Sequence, residues 1–201
     1  MDNTGLMGCS RGGVTVLQMI GLLRDPVHYA SWCAEQPDLK GIDCTPPPAV
    51  GPWPLDEITT YRVQLGLEDT PAGQWAPFGD ERVRAVLALA PCDIPLTTGD
   101  MLAAVTTPTM ILHGALDDVC NYEGNVVRTF TYLGTEERYL ITVINGTHGV
   151  FSDQPGVSQH SATAFFGYYL QGDESYEPYL TEEHLPDLGY IKLAWRPYEG
   201  E

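Results

Sequence analysis

Three glycine-containing segments of the chain carry a hydroxyl, a carboxylate and an imidazole, in that order. Ser10 lies in a G-x-S-x-G sequence at residues 8–12, Asp117 lies in Gly-Ala-Leu-Asp-Asp, and His148 lies in Asn-Gly-Thr-His-Gly at 145–149. A serine becomes a nucleophile when a histidine accepts its proton, and a carboxylate holds that histidine in the required tautomer. These residue types therefore predict nucleophilic acyl transfer, provided that the fold brings them together.

Each of these residues also has an ordinary structural explanation. A G-x-S-x-G sequence can be a tight turn, aspartates are common in turns, and a single histidine more often packs than reacts. Asp118, next to Asp117, is an alternative acid, and His113 is expected to support the acid loop rather than to react. The chain order serine, acid, histidine favours catalysis, because it is one of the orders in which the members of catalytic triads follow one another.

A short apolar run precedes each of the three segments, and a fourth lies between the first and the second. The runs predict buried strands at 4–7, 83–90, 109–113 and 140–144. Longer apolar patterns predict helices at 14–23, 122–133 and 157–170. This alternation is typical of an α/β fold with a mostly parallel sheet flanked by helices. Ligands bind at the carboxyl edge of such sheets, so the three segments are expected to meet there.

The segment 24–82 interrupts this alternation. It is rich in proline and carries Trp32, Trp53 and Trp75, with one helix expected around 55–65. Long irregular segments inside a domain are usually functional or mobile. A cap over a substrate cleft is one interpretation, and a surface excursion packed by its own aromatic residues is the other. With an acidic tail at 171–201, the whole chain 1–201 is expected to form one domain.

Charge and composition argue against two classes of partner. The net charge is −17 over 201 residues, and Lys40 and Lys192 are the only lysines. Such a surface repels nucleic acid and anionic membranes, and no apolar run approaches the ~20 residues of a membrane span. High solubility and adaptation to high salt both explain the acidity. The first residues do not form a signal peptide, which leaves secreted and cytoplasmic locations open.

The five cysteines form neither a CxxC pair nor a zinc signature. Cys33 and Cys44 flank a short loop and could form a disulfide, which would favour an oxidising compartment. Free thiols are the alternative for that pair. For Cys92 and Cys120, inert buried thiols are the default expectation, and a disulfide or an oxidation-sensitive pair is the alternative.

The chain from residue 5 to about 180 resembles the C-terminal two-thirds of an α/β-hydrolase catalytic domain. The stretches GLMGCSRGG, RVRAVLALAP, TPTMILHGALDD, LITVINGTHGVFSD and FFGYYLQGDESYEPYL carry the resemblance. Within that superfamily they are similar to the dienelactone hydrolase-like, acetylhydrolase-like and polyester hydrolase (cutinase-like) branch. The resemblance implies that Ser10 is the nucleophile, Asp117 the acid and His148 the base. It also implies that the backbone N–H of Arg11 is one oxyanion donor.

Four residues near these segments are expected to contact substrate. Cys9 precedes the nucleophile where related esterases often have His or Trp, and Cys92 stands where polyester hydrolases often have an aromatic residue. Both departures weaken the case for a polyester substrate. Tyr122 and Phe151 lie near the acid and histidine loops and could line an apolar pocket, although core packing is the commoner use of aromatic residues.

The resemblance also implies elements that would precede residue 1. Related enzymes have several strands before the nucleophile, and a loop among them supplies a second oxyanion N–H. This chain is therefore expected to form an N-terminally shortened sheet without that donor, whose loss typically costs ~10²–10³ in rate. A homodimer, or the insertion 24–82, would cover the exposed sheet edge.

The expected function is a serine hydrolase that cleaves carboxylic esters through an acyl-enzyme, without a metal or organic cofactor. A short-chain ester, a lactone or a polyester would be the substrate. One alternative is a catalytically impaired hydrolase remnant that acts as a binding or assembly module. Another is a thioesterase or peptidase on the same fold.

Overall fold

A four-stranded parallel sheet lies at the centre of the described part of the chain. The computed structural model describes residues 3–23, 25, 35, 79–92 and 97–181. The strands are β1 (Thr4–Cys9), β2 (Val83–Leu89), β3 (Thr109–Gly114) and β4 (Arg138–Val143). Each pairs in parallel with the next along the chain. The predicted α/β class is confirmed, and all four carboxyl ends lie at one edge of the sheet.

Helices follow each strand. Five α-helices lie in the described residues: α1 (Arg11–Gln18), α2 (Gly99–Ala103), α3 (Arg128–Tyr132), α4 (Val150–Asp153) and α5 (Pro155–Gln171). A π-helical segment, Tyr122–Val127, runs directly into α3, and a 3-10 helix, Glu174–Leu180, follows α5. The predicted single helix at 122–133 is therefore two segments of different winding. The short helices α2 and α4 were not predicted, because four or five residues are too few to show a periodic pattern.

Helix α1 begins and ends earlier than the predicted 14–23. Gly21 has φ of 100°, a backbone conformation that favours glycine. The N–H of Leu22 donates to the carbonyl oxygen of Leu17 at 3.1 Å, which closes the helix with a bond typical of glycine-terminated helices. Gly21 thus lies at the point where the helix closes, before residue 23, where the apolar pattern had predicted its end.

The two faces of the sheet bury separate apolar clusters. One face packs against α1 and the segment after β3, and the other packs against α5. Neighbouring strand residues alternate between the clusters: Val86, Ala88, Ile111 and Leu140 belong to the first, and Leu87, Leu89, Leu112 and Ile141 to the second. Because strands that are buried on both faces must be apolar throughout, β2 and β3 read as continuous hydrophobic runs.

The insertion 24–82 and the end of the tail are described only in small part. Within the insertion the structure describes residues 25, 35 and 79–82, and within the tail residues 171–181. The predicted helix at 55–65, the three insertion tryptophans and the Cys33 and Cys44 pair lie outside the described residues. Among the helices that are described, none has the length and apolar character needed to cross a membrane.

Candidate active site

Ser10 occupies a strained turn between β1 and α1. Its φ is 57° and its ψ is −122°, a combination that is costly for any residue other than glycine. The turn is so tight that a Cβ atom added to Gly8 would lie 2.2 Å from the carbonyl oxygen of Gly12. The glycine before the serine is therefore required by the close approach of the backbone. Arg11 follows as the first residue of α1.

The loop after β3, which carries Asp117, is fastened to the loop after β4. The N–H of Ala115 donates to the Val143 carbonyl, and the N–H of Leu116 donates to the Gly146 carbonyl, both at 2.9 Å. A Cβ atom on Gly114 would lie 2.3 Å from that same Gly146 oxygen. These backbone contacts hold the acid loop and the histidine loop side by side.

Four donors surround the buried carboxylate of Asp117. Its Oδ1 accepts from the N–H groups of Val119 at 2.9 Å and Cys120 at 2.8 Å. Its Oδ2 lies 2.8 Å from Nδ1 of His148 and 3.2 Å from Nε2 of His113. Burial alone would raise the pKa of Asp117, but the hydrogen bonds from His113, the Cys120 amide and His148 hold that pKa well below its ordinary value. The carboxylate is therefore ionised at neutral pH.

His148 connects this carboxylate to Ser10. An ionised carboxylate can only accept hydrogen bonds, so Nδ1 of His148 donates to it, and in the neutral imidazole Nε2 is the acceptor. Nε2 lies 3.0 Å from Oγ of Ser10. The neighbouring Asp118 is exposed, and Asp117 supplies the carboxylate. The structure thus joins the three predicted residues in one hydrogen-bonded relay.

His113 fixes the acid from the opposite side. Its side chain is fully buried, and Nε2 lies 2.9 Å from the carbonyl oxygen of Cys120 as well as 3.2 Å from Asp117. Because both partners are acceptors, Nε2 carries the proton of His113, and the buried Nδ1 has no hydrogen-bond partner. Support of the acid loop was expected of His113, but the direct bond to Asp117 was not. The four-residue spacing in His-Gly-Ala-Leu-Asp is the signal that could have indicated it.

Cys92 and Cys120 form a disulfide beside the relay, so the default expectation of inert thiols is wrong. Their Cα atoms are 5.1 Å apart although 28 positions separate them in the chain. Parallel pairing of β2 with β3 explains this proximity, because each cysteine follows the end of one of these strands. Cys92 Sγ lies 3.5 Å from Ser10 Oγ, and the Cys92 N–H donates to the Ser10 carbonyl at 3.3 Å. Cys92, which was predicted to contact substrate, therefore carries a disulfide sulfur and not a thiol.

Two of the predicted substrate contacts, Cys9 and Phe151, line a cleft of about 320 Å³ between β1 and α5. The complete lining is Met7, Gly8, Cys9, Leu89, Phe151, Ser158, Gln159 and Ala162. Burial raises the pKa of the Cys9 thiol, which disfavours the reactive thiolate. Cys9 thus lines the cleft and directly precedes Ser10 in the chain.

Tyr122 lies in the core instead of lining this cleft. It is buried, its ring is tilted against that of His113, and its hydroxyl lies 2.6 Å from Thr142 Oγ1. Core packing, the alternative weighed from the sequence, therefore accounts for Tyr122.

No protein-family model matches this chain, and no curated protein matches it. The geometry of Ser10, Asp117 and His148 is accordingly the main observation from which a function can be proposed.

Proposed function

We propose that this protein is a serine hydrolase of the α/β-hydrolase type that cleaves carboxylic esters through an acyl-enzyme. The observation that carries the proposal is the relay from Ser10 Oγ to His148 Nε2 at 3.0 Å and from His148 Nδ1 to Asp117 Oδ2 at 2.8 Å. Both distances lie within the range over which a general base takes a proton from a nucleophile. A hydrolase remnant without activity would have no chemical reason to keep all three side chains within hydrogen-bond distance of one another.

In the proposed reaction, His148 Nε2 takes the hydroxyl proton as Ser10 Oγ attacks the ester carbonyl. The Nδ1–H bond to Asp117 stabilises the imidazolium that forms, and the low pKa of Asp117 keeps its negative charge in place. The imidazolium then gives its proton to the leaving alcohol, which leaves the acyl group on Ser10. Attack by water, with His148 again as base, releases the acid and restores the serine.

The N-terminus of α1 would stabilise the oxyanion of the tetrahedral intermediate. Backbone N–H groups in the first turn of a helix find no carbonyl acceptor within that helix, and the helix dipole favours negative charge there. Arg11 is the first residue of this eight-residue helix and directly follows the nucleophile. Its N–H is the donor that we assign to the oxyanion.

The cleft beside β1 would receive the apolar part of the substrate. Its lining is largely apolar, and its volume of about 320 Å³ is at the small end of the range for ligand pockets. A short acyl chain or a lactone ring would fit this size better than a polymer segment. Cys9 and Phe151 would then contact the substrate directly.

Hydrolysis of a short-chain nitrophenyl ester tests the proposal. The wild type should release a burst of nitrophenolate, one per active site, followed by a slower steady state. Ser10→Ala should remove the burst and reduce the steady rate by at least about a thousandfold. The matched control, Ser175→Ala, changes an exposed serine that follows α5 and should leave the rate unchanged. Equal rates for wild type and Ser10→Ala would overturn the proposal.

The same protein should be assayed with an acyl-thioester and a peptide. If kcat/KM is much higher for either of these substrates than for the nitrophenyl ester, and if that activity still depends on Ser10, the protein would be reassigned to the thioesterases or peptidases.

A further inference from the structure

The disulfide lies against the imidazole of the relay. Cys92 and Cys120 are buried, and their sulfur atoms and a ring nitrogen of His148 all lie within 4.8 Å of one another. The sulfurs come from the loops after β2 and β3, and the imidazole comes from the loop after β4. The loops that follow three neighbouring strands therefore place two sulfur atoms and one nitrogen atom close together.

Two thiolates and one imidazole are a common ligand set for zinc. Typical bond lengths are ~2.3 Å to sulfur and ~2.0–2.1 Å to nitrogen, so tetrahedral ligand atoms stand about 3.5–3.8 Å apart. The three donor atoms lie within 4.8 Å of one another, and the two sulfurs, which are bonded in the disulfide, have to move apart after reduction to reach the tetrahedral separation. The side chain of His148 is 23% exposed, whereas that of Asp117 is buried. An ion could therefore enter from the solvent side of the imidazole.

The imidazole is also oriented as metal ligands usually are. Its Nδ1–H is donated to Asp117, so the lone pair of Nε2 points away from the carboxylate. A metal-binding histidine usually donates its other ring N–H to a carboxylate or carbonyl in this way, which fixes the ring and increases its basicity. Asp117 is itself held by the amides of Val119 and Cys120.

We propose that reduction of the Cys92–Cys120 disulfide turns this group into a binding site for a thiophilic divalent cation such as Zn²⁺. Two electrons from a phosphine or dithiol break the S–S bond, and each sulfur takes up a proton. The cation then displaces both thiol protons to solvent and is held by two thiolates and Nε2 of His148, with a fourth position open to water. This site goes beyond the proposed hydrolase function and does not depend on it. One consequence does depend on it: the bound cation occupies Nε2, so the reduced, metal-loaded form cannot deprotonate Ser10.

Cobalt(II) is the probe for this site, because thiolate-bound tetrahedral cobalt absorbs strongly in the visible range. The test uses the chain with Cys9, Cys33 and Cys44 replaced by alanine, so that Cys92 and Cys120 are the only cysteines that remain. Protein reduced with a phosphine and then desalted without oxygen should bind one cobalt with a tetrahedral spectrum, and Zn²⁺ should displace it. The oxidised protein should give no such spectrum.

Variants identify the ligands. Cys120→Ala and His148→Ala should each abolish the tetrahedral spectrum, and Asp117→Asn should weaken binding about 10–100-fold. His160→Ala, a histidine on α5, is the control and should bind like its parent. Ser10→Ala should bind cobalt normally even though the proposed hydrolase loses activity, which separates failure of the metal site from failure of the hydrolase proposal.

Three results would overturn the metal site. The first is equal cobalt affinity in oxidised and reduced protein, and the second is equal affinity in reduced protein with and without Cys120. The third is loss of the native circular dichroism spectrum on reduction, because the site requires the folded sheet to hold its three loops together.

Discussion

Removal of the Cys92–Cys120 bond should lower the stability of the fold by an amount set by the loop that it closes. The two residues are 28 positions apart, and the loop between them contains α2 and β3. In the chain-entropy model, closing a loop of this length raises the free energy of the unfolded chain by roughly 3.6 kcal/mol at 25 °C. Removal of the bond should lower the free energy of unfolding by the same amount. For a chain of this size, that loss corresponds to a fall of roughly 7–14 °C in Tm.

Urea unfolding without reductant measures this loss. The double variant Cys92→Ala/Cys120→Ala should unfold at a clearly lower urea concentration than the wild type, whereas Cys9→Ala, which alters a half-buried free thiol, should not share this loss. Reduction of the wild type by a phosphine breaks the same bond without truncating a side chain, so it should reproduce most of the shift. The same midpoint for the wild type and the double variant would refute the reasoning.

Three further predictions concern the turn, the acid and the sheet edge. Gly8→Ala should lower the free energy of unfolding in urea by roughly 1–3 kcal/mol, because its Cβ would lie 2.2 Å from the Gly12 carbonyl oxygen. The control Gly12→Ala should be tolerated, because a Cβ at that position meets nothing within 4 Å. Equal losses for the two variants would contradict the geometry of the turn. The pKa of Asp117 is lowered in the folded state, so its stabilising contribution is complete above the ordinary aspartate pKa of ~3.9 and declines as the pH falls below it. His113→Leu removes one cause of that lowering, so its stability should stop declining at a higher pH than that of the wild type, and its total loss between about pH 5 and pH 1 should be smaller; parallel losses over that whole range would argue against the contact. In the described residues β1 pairs only with β2, so a homodimer that covers this edge should appear in light scattering at twice the 22.1 kDa of one chain, and a monomer would rule it out.

The strands and the grouping of Ser10, Asp117 and His148 could be predicted from the sequence. Strands buried on both faces are apolar throughout, and β2 and β3 show this directly as VRAVLAL and TMILHG. Parallel strands place their carboxyl ends at one edge, so residues that follow three such strands must lie close together. Only the choice between Asp117 and Asp118 required coordinates, because a difference of one residue decides which carboxylate faces the imidazole.

Features that depend on contacts between distant segments could not be predicted in the same way. The Cys92–Cys120 bond requires knowledge of which strands are neighbours and how close their following loops come. Tyr122 follows the acid loop and was predicted to contact substrate, yet its hydroxyl bonds to the Thr142 side chain in the core. The predicted end of α1 is too late because the apolar pattern continues to residue 23, whereas Gly21 closes the helix by its backbone conformation.

Covalent labelling of the nucleophile tests the central claim most directly. A fluorophosphonate reacts with a serine whose proton is taken by a neighbouring base: Oγ bonds to phosphorus, fluoride leaves, and the histidine carries the proton. The native, oxidised protein should be labelled once, and peptide mass spectrometry should place the phosphonate on Ser10. Labelling should disappear in Ser10→Ala and slow sharply in His148→Ala, and Ser175→Ala should react like the wild type. A folded wild type that stays unlabelled, or that carries the label on another residue, would contradict the assignment of Ser10, His148 and Asp117 as a working triad.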